Sequence, residues 1–243
     1  MPSSMTKIDE KPTDRNSLFL HANNREKGVT TQEHIYAQLR DAIMLGRFRP
    51  GMSVTIRGLA ELLKTSPTPV REALRRLSSE NGLELLPNRR IVVPRMTAER
   101  LEELIETRVE LERFSAVRAL PFINDRLIDE LEVIDARIDK AVLAGDRDKQ
   151  IRDNQLFHRT IYCANPDNIR MPMVESVWLQ LGPFLRIALR EMGDFYKIDR
   201  HKEAIAALRA RDPKLLRAAI EADVRDGVGQ LGHDAVATIL SEG

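Results

Sequence analysis

The sequence predicts a mainly α-helical chain in two parts: an N-terminal winged helix-turn-helix and a C-terminal all-α helical bundle. Three observations predict it. Apolar residues recur at helical spacing along most of the chain from residue 31 onward. The one strand signal is a short pair flanking the turn Pro87-Asn88-Arg89-Arg90. Charge is divided as well: residues 31–97 hold eleven Lys/Arg against six Asp/Glu, whereas residues 98–243 hold twenty-two against twenty-seven. A basic module ahead of an acidic one points to a polyanion as partner of the first alone.

Residues 1–29 are polar, lack an apolar core and a cleavage-like site, and so read as a disordered tail, not a secretory signal. No apolar run approaches the ~20 residues of a membrane span, which removes the membrane as a partner. Cys163 is the only cysteine and has no internal partner, consistent with a reducing cytoplasm; apolar burial is its expected role.

The winged helix is expected over residues 30–94. Its first helix runs from Thr31 to Leu45, with Ile35, Leu39, Ala42 and Ile43 on one face and Gly46 as its stop. Thr55 caps a short second helix, Ile56 to Lys64. The third begins in the stretch TSPTPVREALRRL, whose prolines fit a first helical turn, where a missing N–H costs nothing. Ser66 or Thr68 can cap it. Val70, Ala73, Leu74 and Leu77 then form a buried stripe, while Thr68, Arg71, Arg75 and Arg76 face the other way. In a helix-turn-helix such a second helix enters the major groove, where arginine's planar fork grips guanine or phosphate. Arg71 and Arg75 project together, and Arg89 and Arg90 extend from the wing. A solvated charged face is the bland alternative, and the capped start, basic hairpin and charge split weigh against it.

After a linker at 95–97, the bundle is expected over residues 98–243. Its helices are read near 98–119, 124–144, 147–163, 167–192, 195–210 and 213–231, with breaks at Pro121, Gly145, Asn165-Pro166, Gly193 and Asp212-Pro213. Pro172 and Pro183 start or bend the long fourth one. Several polar residues fall on apolar stripes: Arg108 and Glu112, Asn154 and His158, His201, and Asp223. An unpaired polar group in a core costs roughly 2–7 kcal/mol, so these must meet partners. Arg108 pairing with Glu112 one turn away is one answer. A polar cavity is the other, with the histidines and a carboxylate around a divalent metal and Arg108 on an anionic small molecule. Asp153 points about 140° away from His158 and is not part of it.

The stretch YAQLRDAIMLGRFRPGMSVTIRGLAELLKTSPTPVREALRRL resembles the winged helix of GntR-type bacterial transcription regulators. That resemblance implies operator DNA as partner, with Arg57, Ser66, Thr68, Arg71, Asn88 and Arg89 at DNA-contacting positions. Pro67 and Arg90 depart from it, standing where many members have an arginine and the wing glycine. In the second half, Arg108 to Glu112, Phe157-His158, Ala164-Asn165-Pro166 and His201 followed by AIAALRARDP resemble the FCD effector domain. Residues matching its metal ligands are Asn154, His158, His201 and Asp223, with asparagine for an aspartate and aspartate for a histidine. The resemblance implies zinc or a similar divalent ion, and a small organic acid bound beside Arg108, Asn154, His158 and His201.

The expected function is therefore a cytoplasmic, homodimeric, ligand-responsive repressor on an inverted-repeat operator. Helix 98–119, which carries Arg108 and starts beside the wing, is the expected lever. Two rivals differ in class. One is a metal-dependent enzyme, for which no general base, nucleophile or phosphate loop stands out. The other is a DNA-binding protein with a filled core and no small-molecule effector.

Overall fold

The computed structural model describes Leu20 and residues 28–86, 90–191 and 200–227. Most of the expected tail, the wing-tip residues Asn88 and Arg89, and the helical stretches expected at 195–199 and 228–231 lie outside the described residues. The fold is mainly α-helical, a small N-terminal module with a β wing followed by an all-α bundle.

Helix α1, Thr31–Met44, starts at a reciprocal cap: the Thr30 hydroxyl accepts from the Glu33 N–H, and the Glu33 carboxylate accepts from the Thr30 N–H. It stops at Gly46, whose φ of +66° suits a residue without a Cβ. Helix α2, Ile56–Leu62, is capped by Thr55 as expected, its hydroxyl 3.1 Å from the Gly58 N–H. Helix α3, Pro67–Ser79, places Pro67 at its first position. Ser66 holds the cap position by backbone geometry alone, with no side-chain bond. Val70, Ala73, Leu74 and Leu77 are buried as the stripe predicts, each larger side chain contributing about 1.5–3 kcal/mol.

The wing differs from a plain hairpin. Strand β1 (Ser53–Val54) joins β2 (Glu84–Leu85) and β3 (Ile91–Val92) in an antiparallel sheet of order β1-β3-β2. Ser53 pairs with Val92 and Val54 with Ile91, so the wing is tied to the segment entering α2.

The bundle comprises α4 (Ala98–Ala119), a 3₁₀ turn at Leu120–Phe122, α5 (Asp125–Ala144), α6 (Arg147–Tyr162), α7 (Met171–Glu191), α8 (Arg200–Ala210) and α9 (Pro213–Asp226). Helix α7 starts four residues later than its pattern predicts. The Asn165 and Asn168 side chains accept from the Asp167 and Arg170 N–H groups, stabilising a turn there, and Pro172 sits at the second helical position. Pro183 lies inside α7. Cys163 is exposed, against expectation, because it caps the solvent end of α6.

The two halves share one buried cluster. It runs from Ile35, Leu39 and Leu74 in the winged module through Leu179 and Trp178 of α7 to Phe157, Ile161 and Leu208 in the bundle. Helix α1 packs on α7, so the head rests on α7 rather than on α4, the helix expected to be the lever. Close approach is possible because glycines meet there: a Cβ on Gly182 would lie 2.7 Å from Met44 Cα, and one on Gly46 would lie 2.6 Å from the Gly182 oxygen. Polar ties flank the contact. Arg152 forms a two-pronged pair with Asp41, Arg40 bonds Glu175 at 3.0 Å, and Asp148 accepts from both Arg47 and Arg186.

Candidate functional site

On the head, Arg57, Ser66, Thr68, Arg71 and Arg75 are all exposed. Among the described residues Arg57 and Arg71 make no ion pair or hydrogen bond, and Arg75 lies 3.7 Å from Glu72 with its side chain 70% exposed. Arg76, by contrast, is committed to the fold: its guanidinium lies 3.7 Å from the Tyr36 ring centre and bonds Glu80 at 3.1 Å. The exposed cations of α2 and α3 are thus available to phosphates and base edges, and Arg76 is not.

The bundle interior gathers the polar residues that sequence patterning singled out. Glu112 of α4 is wholly buried and accepts from three side chains: Arg108 through Nε at 2.6 Å and Nη2 at 3.5 Å, Trp178 Nε1 at 2.8 Å and the Tyr162 hydroxyl at 2.9 Å. Burial alone would raise its pKa. The charges of Arg108 and His158 and the bonds from Arg108 and Trp178 outweigh that and hold it below the ordinary value, so it is a carboxylate. Burial, then Glu112, push the Tyr162 hydroxyl well above its usual range, so its proton stays and goes to Glu112.

That assignment settles the histidine beside it. His158 Nδ1 lies 3.1 Å from the Tyr162 oxygen, which has already given its proton to Glu112. Nδ1 must therefore donate, and Nε2 faces Asp223 Oδ2 at 3.0 Å. His201 repeats the pattern from α8: its Nδ1 lies 2.9 Å from Asp135 Oδ1, and its Nε2 faces Asp223 Oδ1 at 3.6 Å and Asn154 Nδ2 at 3.2 Å. Burial would raise the Asp223 pKa, but the His158 bond, both imidazoles and Arg108 bring it to about 2.

Two imidazole nitrogens and a carboxylate thus converge, with one ligand atom from each residue lying within 4.8 Å of the others. Ligands at about 2.0–2.2 Å around a tetrahedral ion stand roughly 3.4 Å apart; the two imidazoles approach different oxygens of Asp223, at 3.0 and 3.6 Å, close to that spacing. His158 Nε2 is buried and faces Asp223 Oδ2 at 3.0 Å, a contact it can make either as the N–H donor of an imidazolium or across a cation held between the two. Rotating the Asn154 amide by half a turn would put its oxygen where Nδ2 now stands, a neutral fourth donor. The residues present therefore fit a divalent ion.

Beside this cluster a recess of about 690 Å³, counting its open mouth, runs between α6 and α7. Arg108, Asn154 and Asp223 supply its polar inner end, and Ile151, Leu181 and Leu185 its apolar wall. His158 and His201 do not line it; they stand behind Asp223 and Asn154. Among the described residues Arg108 bonds Glu112 alone, through Nε and Nη2, which leaves Nη1 for an anion. Asp153 pairs with Arg137 at 2.9 Å, away from the cluster, as its helical position predicts.

Sequence reasoning missed Asp135, Tyr162 and Trp178 as members of the network. Asp135 carried a usable signal, since it takes the core position in the run Ile128, Leu131, Asp135, Ile138. Tyr162 and Trp178 carried none, because large aromatics on an apolar stripe are ordinary core residues.

Residues 31–93 match the family described as bacterial regulatory proteins, gntR family, and residues 103–226 match the FCD domain. The chain is 31% identical over 189 residues to the HTH-type transcriptional regulator McbR of Escherichia coli (strain K12), covering 76% of this chain and 86% of that protein. It is 27% identical over 216 residues to the gluconate operon transcriptional repressor of Bacillus subtilis (strain 168), covering 84% of this chain and 87% of the repressor. The solved structure of E. coli McbR/YncC superposes with a TM-score of 0.73 at 27% identity, over 88% of this chain and 98% of that one. No helix among the described residues is long and apolar enough to cross a membrane. The exposed cations of a winged helix, a polar recess in a helical bundle and these matches lead to one conclusion: the chain belongs to the gntR family of bacterial regulatory proteins, with an FCD domain, and is a ligand-responsive transcriptional regulator, not an enzyme.

Proposed function

We propose that the protein is a homodimeric repressor in the bacterial cytoplasm that releases an inverted-repeat operator when a small organic acid enters the recess between α6 and α7. The observation that carries this reading is the recess itself: Arg108 offers it a cation, and the His158, His201 and Asp223 cluster adjoins it. The acid's carboxylate takes Arg108 Nη1, and the amides of Gln150, Asn154 and Gln155 suit hydroxyl groups. Gluconate is the first candidate, because a relative of this length is a gluconate operon repressor. A divalent ion of the zinc type, held by His158, His201 and Asp223 with Asn154 as fourth donor, adds a positive charge beside the acid. Arg57, Ser66, Thr68, Arg71 and Arg75, with Asn88 and Arg89 of the wing, contact the operator.

To regulate, the acid must favour one arrangement of the heads; equal affinity for both shifts nothing. Thermal shift with gluconate, citrate and lactate, each with and without Zn²⁺, tests the sensor. Fluorescence anisotropy on a labelled inverted repeat from the gene's own upstream region tests the reader. A stabilising acid that also lowers DNA affinity supports the reading. Tight DNA binding that no acid alters returns the protein to a DNA binder without an effector.

A further inference from the structure

We propose that Asp135 is a positioning residue of the cation site, accepting a hydrogen bond from the Nδ1–H of His201 and so aiming the Nε2 lone pair at the ion. The inference rests on the cation reading above and deepens it. Helix α5 supplies no ligand, yet Asp135 is 5% exposed on that helix's apolar face, among Ile128, Leu131, Ile134 and Ile138. A carboxylate costs several kcal/mol to bury there unless a strong partner meets it. Its partner is His201 Nδ1, at 2.9 Å.

The His201 ring needs this partner. Phe157 lies against it with ring centres 4.2 Å apart and an interplanar angle of 31°, which fixes the plane of the imidazole. A flat contact cannot distinguish the two edges of the ring, and a half-turn about the Cβ–Cγ bond would leave the plane unchanged. Asp135 breaks the tie: only with Nδ1–H toward its carboxylate does Nε2 face Asp223 and Asn154. Carboxylates behind metal-bound histidines act in this way, setting the tautomer and raising the basicity of the ligating nitrogen. His158 is set differently, through the neutral hydroxyl of Tyr162 with Glu112 beyond it. Asp135 is therefore the only carboxylate in direct contact with a ligand ring from behind, among the described residues. It also adds charge where charge is short: Asp223 is the single anionic donor of the set, and Asn154 is neutral.

The test is a Zn²⁺ titration of the stripped full chain against a chromophoric chelator, comparing wild type with Asp135→Ala, Asp135→Asn and, as control, Asp153→Asn. Asp153 is also a buried carboxylate paired across α5 and α6, but its carboxylate bonds Arg137 and no ligand ring. Asp135→Ala should weaken Zn²⁺ binding about 10–100-fold, and Asp135→Asn, which keeps an acceptor oxygen without the charge, should fall between. Asp153→Asn should bind as wild type does. The visible bands of the Co²⁺ form, which report ligand geometry, should shift in Asp135→Ala and not in Asp153→Asn. Should Asp135→Ala fail to fold, the isosteric Asn variant carries the comparison. Zn²⁺ affinity within threefold of wild type in the Asp135 variants overturns the role of Asp135 and leaves the cation site standing. Absence of Zn²⁺ binding by wild type overturns both.

Discussion

Replacing Glu112 with glutamine should destabilise the protein more than any surface change, because one side chain satisfies three buried donors. Glu112 is 0% exposed and Arg108 is 13% exposed on its side chain, so the pair lies in the interior. Glutamine keeps the volume but removes the charge that compensates Arg108. Breaking a buried ion pair by removing one partner costs about 3–5 kcal/mol. The single amide oxygen must also serve three donors, and the new NH₂ faces one of them; a donor left unmet adds about 1–3 kcal/mol. A loss of about 4–8 kcal/mol follows, and at about 2–4 °C per kcal/mol for a chain of this size Tm should fall by about 8–32 °C. Trp178 is the only tryptophan and donates to Glu112, so its fluorescence reports unfolding and the loss of that bond together. The double variant Arg108→Met with Glu112→Leu removes both charges and should recover a substantial part of the loss. A Tm drop below about 3 °C in Glu112→Gln, or a double variant worse than the single, would refute the assignment of a charged, fully engaged carboxylate.

Other variants separate reading from folding. Arg71→Ala should weaken binding to an operator duplex about 5–150-fold by anisotropy, as loss of 1–3 kcal/mol implies, with Tm within about 2 °C of wild type. Arg76→Ala should lower Tm by about 2–4 °C instead, since the ring contact with Tyr36 and the Glu80 bond together stabilise by about 1 kcal/mol. Gly182→Ala puts a methyl group 2.7 Å from Met44 Cα, where backbone cannot yield, so α1 must move off α7 at a cost of about 1–3 kcal/mol, measured by thermal unfolding. Acid should also act through Asp223. Its folded pKa of about 2 lies below the unfolded value of about 3.9, so its contribution of roughly 2–3 kcal/mol is complete above about pH 5 and lost as pH falls through 4 toward 2. Asp223→Asn in the metal-free chain should flatten that part of the stability curve, and an unchanged acid limb would count against the assignment.

What was legible in the sequence was whatever a single helix declares about itself. The prolines before Val70 announce a helix start, and Gly145, at φ +68°, ends α5 where its pattern stops. Arg108, Glu112, His158, His201 and Asp223 declare themselves by standing on apolar stripes, and those stripes had to face one another in a bundle. Contacts between distant segments left no such local trace. Strand β1 is two residues long and exists only because Ile91 and Val92 return to pair with it. Docking of the head depends on Gly46 and Gly182, each an unremarkable glycine in its own segment. Asp135 lies between these cases: its place on the apolar face was visible, but its partner was on another helix.

The placement of the recess connects sensing to the head without a long path. Ile151 of α6 and Leu185 of α7 line it, and the same two side chains form a buried cluster with Leu45 at the end of α1. One layer of side chains therefore separates the recess from the head. Just beyond it, Asp148 at the start of α6 holds Arg47 of the head and Arg186 of α7 at once, and Arg186 Nη1 also donates to the Leu45 carbonyl at 3.3 Å. Burial alone would raise the Asp148 pKa; the bonds from Arg47 and Arg186 hold it below the ordinary value, which keeps it charged at neutral pH. A molecule that widens the gap between α6 and α7 must move Leu185 against Leu45 or draw Asp148 away from one of its two arginines. The glycine contact at Gly46 and Gly182 leaves no slack to absorb that motion, since close-packed interiors transmit small displacements instead of damping them. Helix α4 holds Arg108, but α7 both carries the head and lines the recess, so a molecule bound there would act on the head through α7.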